Sequence, residues 1–295
     1  MKILLLGENG QLGSCLKKNL LNENLISASK KKINLCDTHE AIKKIEEIKP
    51  NIIINAAAYT NVNLAEENGK EAYAVNSKSV KEIAKYSYQN NILLVHYSTD
   101  YIFDGKNDKA KSYKEDDVKN PLNIYGKSKL EGENYIINSG CRYIIFRTSW
   151  VYSDTGNNFA NTILDLACKN NSITVIKDEF GVPTHVDFIT KHTLNLINSN
   201  ESSALYHLVP DGVTNRFDFA LYLIKGAKIR GKNIMCPVEN VLPIDSKDSN
   251  TKIKRPLNAI LNCDKIKNTY NLNIPDWRVH AELFLNNRFG EIDGS

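Results

Sequence analysis

Tyr125 and Lys129 stand four residues apart in the run Asn123-Ile124-Tyr125-Gly126-Lys127-Ser128-Lys129, which reads as the start of a helix. That spacing puts both side chains on one helix face, separated by about 6 Å along the axis. Reduction of a carbonyl needs a proton donor at oxygen while hydride arrives at carbon. A free tyrosine, with a pKa of about 10, gives up its proton reluctantly; a neighbouring ammonium favours the phenolate and lowers that value. Thr99, in His96-Tyr97-Ser98-Thr99-Asp100-Tyr101, adds a hydroxyl that can hold a substrate oxygen in place. Lys129 is also in a position to contact a nicotinamide ribose. A Y-x-x-x-K pair alone carries little, because any lysine-rich helix produces one. Behind a strand-end S-T-D, in a chain that opens with a glycine-rich turn, it becomes a catalytic constellation.

That turn is Gly7-Glu8-Asn9-Gly10-Gln11-Leu12-Gly13. Glycine there lets the backbone turn tightly and approach a pyrophosphate, and the following helix offers free N–H groups and the positive end of its dipole. At the end of the second strand, dinucleotide enzymes that use NAD place a carboxylate against the ribose hydroxyls. Here the stretch is Ala28-Ser29-Lys30-Lys31-Lys32, with no acid. A carboxylate would repel a 2′-phosphate, whereas Ser29 and the lysines can accept one, so NADPH is the expected cofactor. Use of NADH stays open, as does a lysine loop that is merely solvated.

These groups need a scaffold. Ile3 to Leu6, residues 25–28, Ile52 to Ile54, Ile92 to Val95 and Tyr143 to Phe146 read as short apolar strands. Between them lie a helix through Leu12, Leu16 and Leu20, one capped by Asp37 or Thr38 and closed by Pro50, a long one over 66–89, and one over 123–138. Unbroken apolar strands alternating with helices predict a doubly wound, Rossmann-like parallel sheet covered on both faces, an α/β fold. The glycine turn and Thr99 then both emerge at the carboxyl edge of the sheet, where ligands bind in such folds. Residues 1–150 are expected to form this dinucleotide-binding domain. Residues 151–295, with helices near 157–169, 186–198 and 215–227 and looser Pro/Gly turns, are expected to form mainly a smaller mixed α/β substrate lobe, some segments returning to the first domain. The last residues, 290–295, are expected to fray.

Bulk properties narrow the classes. The chain has 295 residues, 42% hydrophobic and 24% charged, with a formal net charge of +4. This is ordinary for a globular enzyme and gives no concentrated basic face for a nucleic acid. The cysteines Cys15, Cys36, Cys141, Cys168, Cys236 and Cys263 form no C-x-x-C pair, so free thiols in a reducing cytosol are expected rather than disulfides or a metal cluster. There is no uncharged apolar run of about 18 residues and no signal-peptide core, which argues against a membrane span and for a cytoplasmic protein.

The spacing G-x-x-G-x-x-G resembles that of the short-chain dehydrogenase/reductase superfamily in its extended, sugar-nucleotide-acting branch. Within that branch the chain is similar to the dTDP-4-dehydrorhamnose reductase family. The resemblance rests on GENGQLG at 7–13, NAAAYTNV at 55–62, VHYSTDYIFDG at 95–105, NPLNIYGKSKLEGE at 120–133, FRTSWVY at 146–152, GNNFA at 156–160, DEFGVPT at 178–184, LYHLV at 205–209, RPLNAIL at 255–261 and PDW at 275–277. FRTSWVY and DEFGVPT are far more specific than the superfamily motifs, and the blocks span almost the whole chain.

The resemblance implies roles. Gly7, Gly10, Gln11, Leu12 and Gly13 would bind the cofactor, with Gly10, Gln11 and Leu12 holding its pyrophosphate. Asn34 and Leu35 would sit near the adenine, although members often carry an acid where Asn34 stands. Ala58, Tyr59, Thr60 and Tyr97 would line the cofactor. Thr99, Tyr125 and Lys129 would be catalytic, while Asp100 and Trp150 would touch a dTDP-linked deoxysugar. Trp150 reads equally well as a core aromatic. The implied reaction reduces the C4 ketone of dTDP-4-dehydro-L-rhamnose with NADPH, toward cell-surface polysaccharide. A related reductase, such as a 6-deoxytalose-forming one, and a non-catalytic NADP-binding regulatory subunit are the rival readings. Some members form a Mg2+-linked dimer through a glutamate at the position of Cys15. Cysteine is a poor ligand for a hard cation, so no metal is expected, such a dimer is disfavoured, and monomer and homodimer stay open. Asp187, in a region also used for that metal, is expected to be a helix cap. Lys252, Lys254 and Arg255 are either surface charge or cations for the sugar nucleotide's diphosphate.

Overall fold

Ile3 to Leu6 and Ile52 to Asn55 are buried without interruption, so the strands they form must be covered on both faces. The computed structural model describes residues 1–21, 23–108, 111–197, 203–249 and 253–291; Lys252 and residues 292–295 lie outside them. The first half runs β1 (Lys2–Leu6), α1 (Gln11–Asn19), β2 (Asn24–Ala28), α2 (Thr38–Ile48), β3 (Ile52–Asn55), α3 (Val62–Glu67), α4 (Gly69–Tyr73), α5 (Ser79–Gln89), β4 (Leu93–Thr99), α6 (Ile124–Ile137) and β5 (Arg142–Thr148). The second half continues with β6 (Val151–Tyr152), α7 (Phe159–Lys169), β7 (Ile173–Ile176), β8 (Phe180–Gly181), β9 (Thr184–His185) and α8 (Val186–Ile197). It ends with β10 (Ala204–His207), β11 (Thr214–Asn215), α9 (Arg216–Ile229), β12 (Val241–Ile244), α10 (Asp264–Tyr270) and α11 (Trp277–Phe289).

Among the described residues, six parallel strands form one sheet in the order β10-β5-β4-β3-β1-β2. The chain steps outward from β1 to β2, then crosses back to β3 on the other side of β1. That reversal opens a crevice at the carboxyl ends of β1 and β3, where this class of sheet binds ligands. The smaller pairings β6–β9, β7–β12 and β8–β11 belong to the second half.

The pleat sorts the core into two layers, because alternate strand residues face opposite sides. Ile3, Leu5, Ile52, Ile54, Val95 and Phe146 pack with Leu12 and Leu16 of α1 and with Phe188 and Ile189 of α8. Leu4, Leu6, Ile53, Leu94 and Ile145 pack on the other side with Ile45 of α2, Ile83 of α5 and Ile136 of α6. Each such aliphatic side chain, fully buried, contributes about 1.5–3 kcal/mol relative to exposure. One layer of the first half's sheet is thus covered by a helix from the second half, and β10 adds its edge strand beside β5.

Asp37 is the cap of α2: its carboxylate accepts the Glu40 N–H at 3.1 Å. The helix expected over 66–89 is instead broken. It ends at Asn68, restarts as α4, passes through one π-helical stretch at Ala74–Lys78 and only then becomes α5. Within the π-helical stretch the buried amide of Asn76 is spent on the backbone of Tyr59: it accepts the Tyr59 N–H at 2.8 Å and donates to the Tyr59 carbonyl at 3.0 Å. A π-bulge turns the side chain toward that loop.

Candidate active site

Gly7 follows β1 with φ +84°, and a Cβ there would lie 2.7 Å from the Ala57 nitrogen. Gly13 serves packing, not lining. A Cβ on it would come within 2.0 Å of the Gly7 carbonyl oxygen, so α1 sits directly on the turn, and Gly13 does not face the cleft. Gly10 is the open glycine: it precedes the first turn of α1, and its virtual Cβ meets only Gly7 O, at 3.4 Å. The first N–H groups of α1 therefore stand free toward the cleft. Gln11 is fixed by the second half, its Oε1 accepting from Ser153 Oγ at 2.8 Å and Asn158 Nδ2 at 2.9 Å.

The cleft holds about 850 Å³ and runs from this turn to Trp150. Gly7, Gly10, Gln11, Leu12, Ser29, Asn34, Leu35, Ala58, Tyr59, Thr60, Tyr97, Thr99, Asp100, Tyr125, Lys129 and Trp150 all line it. One end has Ser29, Lys30, Asn34 and Leu35 beyond β2; the other has Thr99, Asp100, Tyr125 and Trp150 at the ends of β4 and β5 and on α6. Buried Ser98 Oγ and Thr148 Oγ1 line the floor without a hydrogen-bond partner. Orphaned hydroxyls beside an open glycine turn fit a polar, elongated ligand such as a dinucleotide.

At the strand ends, Thr99 Oγ1 donates to Asp100 Oδ1 at 2.9 Å, and the Thr99 and Tyr125 hydroxyls also share a hydrogen bond. Asn123 starts α6 by accepting the Gly126 N–H at 2.8 Å. Gly126 lets that helix approach, since a Cβ there would be 2.2 Å from the Tyr101 carbonyl. Burial pushes the Tyr125 phenol above its ordinary value, and the Thr99 hydrogen bond only partly offsets this. Burial also pushes Asp100 up to about 7, against the Thr99 hydrogen bond and the charge of Arg216. Asp100 Oδ2 has no partner.

Two expectations are corrected. Lys129 does not hold the Tyr125 pKa down: fully buried, its Nζ donates to the Tyr97 carbonyl at 2.5 Å and lies 3.2 Å from His96 Nε2, and the Tyr125 phenol is raised, not lowered. In a dry environment an ammonium takes the nearest carbonyl. Burial brings Lys129 down to about 8, and the Tyr125 phenol is shifted by burial and Asp100 instead. Asp187 is not a cap either. It lies in the first turn of α8, where its Oδ1 accepts from the Cys15 thiol at 3.1 Å. Burial raises that thiol to about 12, which keeps it protonated. Among the described residues no group of three or more His, Cys, Asp or Glu could hold a metal ion, and no helix is long and apolar enough to cross a membrane.

The lysine loop divides. Lys30 faces the cleft, whereas Lys32 reaches back to Glu8 at 3.4 Å. Glu8 is held well down, at about 2, chiefly by hydrogen bonds from Lys17 and Ser27. Tyr97 lines the cleft with its ring, but its hydroxyl pairs with Thr193 Oγ1 of α8 at 2.9 Å.

Trp150 adopts φ +45° and lies against Gly181, where a Cβ would be 2.8 Å from the indole. Arg216, at the start of α9, covers the ring at 3.8 Å and pairs with Glu179 at 3.7 Å. Sequence reasoning missed Arg216, which reaches the cleft only because β11 pairs with β8 beside Gly181. It also missed Asn76 and Asn158, whose roles are to position Tyr59 and Gln11. Arg255 acts electrostatically on both Tyr101 and Arg216, and its Nε is buried without a partner; the neighbouring Lys254 carbonyl accepts from Asn123.

The family model for the RmlD substrate binding domain matches residues 1–289. The dTDP-4-dehydrorhamnose reductase of Escherichia coli strain K12 is 36% identical, with 98% of each chain covered. A solved structure of a dTDP-4-dehydrorhamnose reductase from Bacillus anthracis str. Ames, in complex with NADP, is 32% identical. It has a TM-score of 0.89 and covers 97% of this chain and 100% of its own. The corresponding structure from Clostridium acetobutylicum has a TM-score of 0.90 at 30% identity, covering 97% and 99%.

Proposed function

This chain belongs to the RmlD substrate-binding-domain family, and we propose that it reduces the C4 ketone of dTDP-4-dehydro-L-rhamnose to dTDP-L-rhamnose with NADPH. The observation that carries the reading is the single cleft with an open glycine turn and Lys30 at one end and Thr99, Tyr125, Asp100 and Trp150 at the other. The reductase activity for which its relatives are named and the NADP of the Bacillus anthracis structure support the same choice.

The bound nicotinamide would supply hydride; the chain supplies the rest. Thr99 and Tyr125 would bind the ketone oxygen from the ends of β4 and α6. Tyr125 is protonated at neutral pH, since burial raises its pKa, so it can donate as negative charge develops on oxygen. Lys129, anchored at the Tyr97 carbonyl, would hold a ribose near that strand end and place a cation within the site. Asp100 and Trp150 would orient the sugar, the indole offering it a flat apolar face.

The test is NADPH consumption with enzymatically prepared dTDP-4-dehydro-L-rhamnose and identification of the product sugar. Turnover to the rhamnose product supports the reading. A folded, NADPH-binding protein that turns over only another keto-sugar, or makes the talose isomer, replaces it.

A further inference from the structure

Of the three lysines after β2, only Lys30 lines the cleft, and a carboxylate already holds it. Its Nζ lies 3.0 Å from Glu71 Oε1, and Glu71, on α4, also lines that end. The Cys36 thiol lies 3.7 Å from the same oxygen. Both partners are open to solvent, with 70% of the Lys30 side chain and 40% of the Glu71 side chain exposed, so the pair is breakable. In this fold the adenosine ribose lies just past the end of the second strand, within reach of Ser29 and Lys30.

We infer that Glu71 is a specificity-determining residue for the cofactor: it competes with the 2′-phosphate for Lys30 and so weakens this chain's preference for NADP(H) over NAD(H). The inference rests on the dinucleotide reading of the cleft. A 2′-phosphate arriving at Lys30 must displace the Glu71 carboxylate and then sit beside a like charge. A bare ribose hydroxyl incurs neither cost. Glu71 therefore partly restores the acid that the end of β2 lacks, from a different element. Exposed pairs of this kind are worth up to about fivefold in an equilibrium constant.

The test needs no sugar substrate. Dissociation constants for NADP+ and NAD+ are measured for the full chain, for Glu71→Gln, for Lys30→Met and for the double variant. Glu71→Gln should tighten NADP+ about three- to fivefold and leave NAD+ unchanged, and the gain should vanish in the Lys30→Met background. Equal effects on both dinucleotides, no effect, a gain that survives loss of Lys30, or a specific loss of NAD+ affinity each overturns the competition. Wild-type protein that binds neither dinucleotide overturns the underlying cofactor reading and this inference with it, a result distinguishable because it appears before any substitution.

Discussion

The guanidinium of Arg216 lies 3.8 Å from the centre of the Trp150 ring, with Gly181 behind the indole. The cation fixes the aromatic plane at the Thr99 end of the cleft, where the sugar is proposed to bind, and the missing Cβ of Gly181 makes room for it. Arg216→Met removes an attraction worth about 0.5–2 kcal/mol. It should raise KM for the sugar nucleotide about two- to thirtyfold while leaving the NADP+ dissociation constant unchanged. Gly181→Ala, which places a methyl 2.8 Å from the indole, should give the same split. A matched loss of cofactor affinity would show that Arg216 instead supports the whole cleft.

Tyr125→Phe removes the proposed proton donor and little else, since the ring still packs edge-on against Tyr101. Turnover should fall about a hundredfold or more, with melting temperature and cofactor binding retained. A comparable rate in the variant would transfer the donor role to another group.

Lys129 gives a pH signature. Its folded pKa, about 8, lies below its ordinary 10.5, so its contribution to stability is complete above 10.5 and is lost as pH falls through 8. The wild-type melting temperature, measured against that of Lys129→Met, should therefore rise between pH 8 and 10.5. A flat difference would mean that the ammonium is not desolvated.

Asp100 runs the other way. Raised from 3.8 to about 7, it contributes stability that is complete below 3.8 and lost as pH rises through 7. Asp100→Asn should thus be more stable than wild type above pH 7, with the advantage disappearing near pH 4. Equal melting temperatures across that range would argue that the carboxylate is already satisfied.

The last two glycines of the turn should separate folding from binding. Gly13→Ala puts a methyl 2.0 Å from a carbonyl oxygen and should prevent folding, read as loss of soluble, cooperatively melting protein. Gly10→Ala, with its nearest contact at 3.4 Å, should fold and lose dinucleotide affinity about tenfold or more, because the methyl occupies the approach to the helix N-terminus.

Much of this was legible along the chain. Apolar runs marked β1, β3, β4 and β5, because a strand buried on both faces leaves no polar alternation. The glycine turn and Tyr125–Lys129 could be read because their chemistry is local. The break at Asn68, the π-bulge and the direction of Lys129 could not. The last two involve a distant partner: Tyr59 for Asn76 in the π-bulge, and the Tyr97 carbonyl for Lys129. Arg216 and Glu71 were hidden for the same reason, since their neighbours in the cleft come from other elements. The sequence blocks of the family pointed to Asp100 and Trp150, whereas no spacing could.

The edge strand β10 enters the main sheet from beyond residue 200, and its His207 N–H is held by the Glu115 carboxylate at 2.9 Å. Arg147 of β5 binds both the Glu115 carbonyl and the buried Glu133 of α6. The second half of the chain is therefore stitched into the first twice, by α8 and by β10. A single crossover near residue 150 would strip the recipient of a strand and of one face's cover. Substrate range in this architecture can drift residue by residue or be transplanted as several discontinuous segments, but not traded as one cassette.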